Sequence, residues 1–304
     1  MSFSTDSKEE LCRFPQPECC QRAELAALLL VLGSMQVSLG QACVVAVTEN
    51  ATVARHLFQL AKGLFGIVPE IFVKQNQQLK KRQSYRIQLP EALTVLTELG
   101  IWKDGLLAHR ADAGLIKKTC CKKAYVRGAF LACGSMSDPE KGYHLEFVVH
   151  DEGFAASLGR ALQHFGIEPG NVVRKSAQVI YIKESDRIAD TLTLMGAYNA
   201  VLTLENIRIL KEMRNQVNRE VNCESHNLDK MVEAAQRQRE AIGRLEAAGV
   251  LEKLPESLQA VARLRLEHPE YALTELGEML EPPLGKSGMN HRMRKLLEAA
   301  KGLG

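Results

Sequence analysis

The 304-residue sequence predicts an α+β fold: a duplicated αββαββα domain, then a helical linker, then a small all-α domain. Three observations carry that prediction. CCQRAELAALLLVLGSM at 19–35 is matched by CCKKAYVRGAFLACGSM at 120–136, so one apolar, glycine-ended helix is written twice, 101 positions apart. The landmarks after each copy recur in order, Phe65-Gly66-Ile67 against Phe165-Gly166-Ile167, and the segment 96–100 against 192–196. Beyond them the chain changes character, first to a long charged stretch nearly free of Gly and Pro, then to three short amphipathic patterns separated by Pro and Gly.

Taken in order, the opening MSFSTDSKEEL reads as a capped helix, with Thr5 or Asp6 ahead of Lys8-Glu9-Glu10-Leu11, and lacks the basic-then-apolar order of a secretory signal. After the first repeat helix come an apolar segment at 36–39, a strand at 42–48, an amphipathic helix at 52–65 and a strand at 71–73. A basic turn at 75–81 then leads to a strand at 85–89 and a helix entered at Pro90-Glu91 and closed by Gly100. The second copy continues through a Ser-Asp-Pro turn to a strand at 144–149, a helix at 154–165, strands near 172–174 and 179–182, and a helix at 185–195. The pseudo-repeats thus cover about 19–100 and 120–196 within a domain at 1–204, and a period near 100 residues means a duplicated half-domain, not a solenoid. Ala26, Ala27, Gly33, Gly128, Ala129, Ala132 and Gly134 are small enough to let the two repeat helices pack side by side on a pseudo-twofold axis.

The linker at 205–252 predicts two helices, interrupted near 222–227 by Asn, Cys, Ser and His. Its alternating charges suit a solvated connector, with Asn215, Asn218 and Asn222 open to phosphate or to a neighbouring domain. The domain at 253–304 restarts at Pro255-Glu256 and predicts helices at 256–267, 274–280 and 287–300, with Thr274 and Ser287 as N-caps. The intervening EPPLGK cannot be helical through two prolines, which makes a helix-turn-helix with a longer turn than usual. Residues 284–304 carry five basic residues against Glu298. The candidate DNA contacts are Lys286, Ser287, Asn290, His291, Arg292, Arg294 and Lys295, because a helix N-terminus attracts anions and cationic side chains behind it can follow the major groove. A three-helix bundle that binds protein is the alternative.

Composition excludes several classes. With 46% hydrophobic and 25% charged residues and no apolar run of membrane-spanning length, the expectation is a soluble, cytoplasmic protein with no membrane partner, and the candidate DNA contacts add association with the nucleoid. The eight cysteines form no C-x-x-C pair, so they read as plain thiols, with no metal and no cofactor expected. Gly285-Lys286-Ser287 imitates the end of a P-loop, but Leu280 stands where the first glycine belongs. Lys80, Lys81 and Arg82, with Lys74 and Arg86 beside them, form an acid-free tract that is either a phosphate contact or an ordinary basic turn. Lys117, Lys118, Lys122, Lys123 and Arg127 form a second tract open to the same two readings.

Both repeat helices resemble the LAGLIDADG element of homing endonucleases, and αββαββα is that family's plan. The resemblance implies an acidic metal ligand just before each terminal glycine. Here those positions hold Leu32 and Cys133, so no catalytic residue is expected. Within that superfamily, MSFS…KEEL, CC-x-[RK]-A, RGAFLACGSMSDPEKGYHLE at 127–146 and the block at 195–242 resemble the WhiA family over essentially the whole chain. That likeness implies a degenerate LAGLIDADG-like domain and a C-terminal helix-turn-helix in a DNA-binding regulator. It further implies links to cell division, chromosome segregation and, in some lineages, sporulation, with double-stranded DNA and other transcription regulators as partners. The competing expectations are a metal-dependent endonuclease using other acids, and a protein-interaction module.

Overall fold

The computed structural model describes residues 2–38, 41–75 and 83–303. Contacts divide the chain into two compact units, Met1–Leu210 and Lys211–Gly304. The first begins with α1 (Phe3–Cys12), capped by Ser2, whose hydroxyl accepts a hydrogen bond from the Thr5 amide at 3.2 Å. The cap therefore lies ahead of Thr5 and Asp6, which sit inside the helix.

The first repeat runs α2 (Glu18–Leu32), β1 (Gly33–Ser38), β2 (Gln41–Thr48), α3 (Ala51–Phe65), β3 (Glu70–Gln75), β4 (Gln83–Leu89) and α4 (Ala92–Glu98). A short hairpin, β5 (Trp102–Lys103) and β6 (Leu106–Leu107), follows it, outside the elements expected from the pattern; its signal in the sequence is the two-residue loop Asp104-Gly105, both at positive φ. The second repeat runs α5 (Thr119–Cys133), β7 (Gly134–Met136), β8 (Leu145–Val149), α6 (Glu152–Gln163), β9 (Gly170–Arg174), β10 (Ala177–Ile182) and α7 (Ser185–Met195). Each repeat builds an antiparallel four-stranded sheet of the same order, β1-β2-β4-β3 and β7-β8-β10-β9. Punctuation agrees with chemistry. Asn50 caps α3 through the Thr52 and Val53 amides at 2.9 and 3.1 Å, and Asp151 caps α6 through the Phe154 amide at 2.7 Å. Gly66 and Gly196 end α3 and α7 with φ of 69° and 94°, a conformation other residues avoid.

At the centre α2 and α5 lie side by side. They approach closely at Gly128, where a β-carbon would stand 2.5 Å from the Glu24 carbonyl oxygen and 2.9 Å from the Ala27 β-carbon. Gly33 and Gly134 do something else. Both have extended backbone, φ −81° and −74°, and the chain passes from helix to strand with no intervening loop. A β-carbon on Gly33 would meet the Leu29 carbonyl oxygen at 2.4 Å, and one on Gly134 the Phe130 ring at 2.3 Å. The terminal glycines thus permit the helix-to-strand corner, while Gly128 permits the helix pair.

A polar knot crosses this otherwise apolar core. Glu24 is wholly buried, with its Oε1 2.5 Å from His56 Nε2 and its Oε2 accepting from Gln16 at 2.8 Å and facing Arg127 Nη1 at 3.5 Å. Arg127 also donates to the Met195 and Gln16 oxygens at 2.8 and 3.1 Å and stacks over the Phe14 ring. Burial lowers the Arg127 pKa and Glu24 opposes that shift. Arg127 is therefore part of the core and leaves the second basic tract.

α8 (Tyr198–Ala247) is one helix of 50 residues, started by Glu10, whose carboxylate accepts from the Asn199 and Ala200 amides at 2.7 and 3.1 Å. The interruption expected near 222–227 does not occur. Asn, Cys, Ser and His each cost a helix only some tenths of a kcal/mol, and no Gly or Pro stands among them to break it. In the second unit α9 (Glu256–Glu267), α10 (Leu273–Glu278) and α11 (Lys286–Lys301) share a core with Ala241, Ile242 and Leu245 from the end of α8. That core therefore begins N-terminal to residue 253.

Candidate nucleic-acid interface

α11 is two-faced at helical spacing. Met289, Met293, Leu296 and Ala300 are buried, while Lys286, Ser287, Asn290, His291, Arg294 and Lys295 are exposed. The helix starts one residue earlier than the sequence suggested, with Gly285 at the N-cap and Ser287 in the first turn, so no side chain caps its amides. Those amides and the helix dipole are suited to an anion. Arg292 behaves differently from its neighbours: it is half-buried, with Nη1 3.4 Å from the Ser257 carbonyl on α9.

What holds α11 in place is equally specific. α10 starts at Leu273, so Thr274 is inside the helix; Glu275 reaches back to accept from the Ala272 amide at 2.6 Å and does the capping. The chain then turns through 279–285 and folds back, where the Leu284 amide donates to the Gly277 carbonyl at 2.8 Å. A β-carbon on Gly277 would stand 2.0 Å from the Leu284 carbonyl oxygen, so only glycine admits this turn. Arg265, only 2% exposed, donates to the carbonyl oxygens of Tyr271, Pro269 and His268 at 2.7, 3.3 and 3.4 Å and ties down the α9–α10 connection. Its sequence signal is its place on the apolar stripe Leu258-Val261-Ala262-Arg265.

The other ends of the repeat helices show what stands in for an acidic pair. Leu32 closes α2 and Cys133 closes α5. The Cys133 thiol donates to the Ala129 carbonyl at 3.2 Å, and burial pushes its pKa up to about 12, keeping it neutral. Lys8 of α1 donates to the Leu131 carbonyl at 3.1 Å, two residues before Cys133, and burial lowers its pKa. A leucine, a neutral thiol and a nearby lysine offer a hard divalent cation no oxygen ligand.

Of the first basic tract, Lys74 and Arg86 are exposed on neighbouring strands, with Arg86 donating to Gln36 at 2.8 Å. Lys80, Lys81 and Arg82 lie outside the described residues. In the second repeat the equivalent connection is only the tight turn Lys175-Ser176, both at positive φ.

A paired-repeat α/β domain that has lost its acidic ligands, followed by a helix-turn-helix with a cationic second helix, defines a degenerate LAGLIDADG-like protein with a DNA-binding-type module. Residues 18–102 match the WhiA N-terminal LAGLIDADG-like domain, 122–214 the WhiA LAGLIDADG-like domain, and 217–300 the WhiA C-terminal HTH domain. The chain is 46% identical to the probable cell division protein WhiA of Thermoanaerobacter pseudethanolicus, over all of this chain and 98% of the relative. It is also 46% identical to the protein of that name from Heliobacterium modesticaldum, over 99% and 96%. The crystal structure of full-length DUF199/WhiA from Thermatoga maritima superimposes with a TM-score of 0.64 at 25% identity, covering 100% of this chain and 99% of that one. The chain belongs to the WhiA family.

Proposed function

We propose that this chain binds double-stranded DNA without cutting it, as a transcriptional or chromosome-organising regulator in cell division, chromosome segregation and, in some lineages, sporulation. The observation that carries the reading is the exposed cationic face of α11, with Lys286 at its uncapped N-terminus and Arg294 and Lys295 about two turns further along the helix. Ser287, Asn290 and His291 on that face are placed to reach base edges or phosphates. Arg292 serves the α9 contact as well as the charge. Lys80, Lys81 and Arg82 supply a second phosphate contact from the duplicated domain, close to Arg86 in the chain. The division proposed is 1–204 for the duplicated domain, 205–252 for the helical linker and 253–304 for the DNA-binding domain, with the end of α8 completing the last domain's core. Such a protein works in the cytoplasm, on the nucleoid, alongside other transcription regulators.

Fluorescence anisotropy with a labelled duplex tests this. Arg294→Ala with Lys295→Ala should weaken binding at least ~10-fold and reduce the slope of log K against log salt by about 2. Unchanged affinity and slope would remove α11 as the reader. A protein-interaction module is the second reading, favoured by Ile71, Phe72 and Val73 standing exposed on the edge strand β3. It predicts that changing those three residues abolishes capture of a protein partner and leaves duplex affinity intact.

A further inference from the structure

The two Cys-Cys pairs occupy the same place in the two repeats. Cys19 and Cys20 are the second and third residues of α2, and Cys120 and Cys121 are the second and third of α5. Because α2 and α5 lie side by side, the pairs converge at the N-terminal ends of the helices, far along them from Leu32 and Cys133. All four Sγ atoms lie within 4.8 Å of one another; the Cys120 and Cys121 sulfurs are 4.0 Å apart, and the Cys121 thiol donates to the Cys19 carbonyl at 3.5 Å. Cys20 and Cys121 are buried with Ala23 and Ala124, whereas Cys120 is exposed and gives an ion a way in.

We propose that these four cysteines form a structural site for a single Zn²⁺, clamping the two half-domains together at the head of the repeat-helix pair. With Zn–S near ~2.3 Å, a tetrahedral tetrathiolate has sulfurs about 3.8 Å apart, so the set observed needs shifts of an ångström or less. A disulfide needs sulfurs at about 2 Å, in pairs rather than in a mutual foursome. Iron–sulfur clusters separate their ligand sulfurs more widely than these four allow, because bridging sulfides lie between the irons. Soft thiolates with no oxygen or imidazole donor select zinc over hard cations.

Charge supports the assignment. A zinc tetrathiolate carries two net negative charges in a partly buried place. Two helix N-termini meet there, each equivalent to about half a positive charge. Lys117, Lys118, Lys122 and Lys123 flank the α5 pair in the chain, which gives the second basic tract a local purpose as counter-charge. The site is invisible to a search for C-x-x-C because its ligands come two by two from repeats 101 residues apart. The readable signal was the recurrence of CC at one repeat position.

The test uses the full-length protein, purified under reducing conditions without a metal-binding tag or chelator. Elemental analysis should find about one zinc per chain, falling below ~0.1 in Cys120→Ser with Cys121→Ser and unchanged in Cys12→Ser with Cys223→Ser. Wild-type protein stripped of metal and titrated with Co²⁺ should show the intense visible bands and thiolate charge-transfer of a tetrahedral four-sulfur site, a readout that needs no variant to fold. Restoring zinc to stripped protein should raise Tm by about 5–10 °C. Four reactive thiols with no zinc and no Co²⁺ spectrum would overturn the proposal. So would a mass lowered by disulfides, or stoichiometric iron in zinc's place.

Discussion

Glu24 shows how much one residue can mean two things until its neighbours are known. In the chain it is an acid on an otherwise apolar helix; in the fold it is the wholly buried acceptor that joins His56 of α3, Gln16 and Arg127 of α5. Removing one partner strands the other, and an uncompensated buried charge costs about 3–5 kcal/mol. Glu24→Leu should therefore lower denaturant stability by that amount, and adding Arg127→Met should recover a substantial part of the loss. If the double variant is no better than the single one, the pair is not coupled. At this scale some positions were fully legible. Once the LAGLIDADG resemblance implies carboxylates before the two terminal glycines, their replacement at Leu32 and Cys133 is legible, since neither side chain can become an oxygen ligand. Arg127 was not legible: basic letters in a row look alike, and only packing against Phe14 and Glu24 separates the core member from its exposed neighbours.

Helices and strands were largely legible as elements because their periodicities are local properties. The helix at 256–267 and the one at 185–195 have the bounds the pattern gives. α8 departs from the two helices that the pattern predicts, because weak helix formers do not break a helix when nothing among them removes an amide or adds backbone freedom. The starts of α10 and α11 shift by a residue or two: Glu275 does the capping assigned to Thr274, while Gly285 takes the N-cap position assigned to Ser287 and leaves the α11 amides without a side-chain cap. The glycines of the repeat helices make a paired prediction. Gly128→Val should cost unit 1 at least ~2 kcal/mol, because its β-carbon meets backbone of α2 that cannot yield. Gly63→Ala in α3, with nothing within 4 Å, should be neutral or stabilise by about 0.5–1 kcal/mol. Thermal unfolding of both variants distinguishes a packing glycine from an incidental one.

The duplicated domain has a LAGLIDADG-like framework with Leu32 and Cys133 at the ends of its two repeat helices, and the proposed function is binding without cutting. Supercoiled plasmid incubated with the protein and Mg²⁺ or Mn²⁺ should remain supercoiled at protein concentrations that saturate binding. Cleavage abolished by a substitution at the end of α2 or α5 would reverse that expectation. The duplicated order, the helical linker and the cationic last helix all followed from the sequence by itself, since each depends on residue type and spacing within one segment or on the direct comparison of two segments; the missing carboxylates followed from the family resemblance. Only the tertiary structure decided which glycine separates the paired helices, which arginine belongs to the core, and that four cysteines split between two repeats share one small volume. Those are facts of distance between segments about a hundred residues apart. A side chain's chemistry there is set by whatever the fold places against it, and no local pattern records that neighbour.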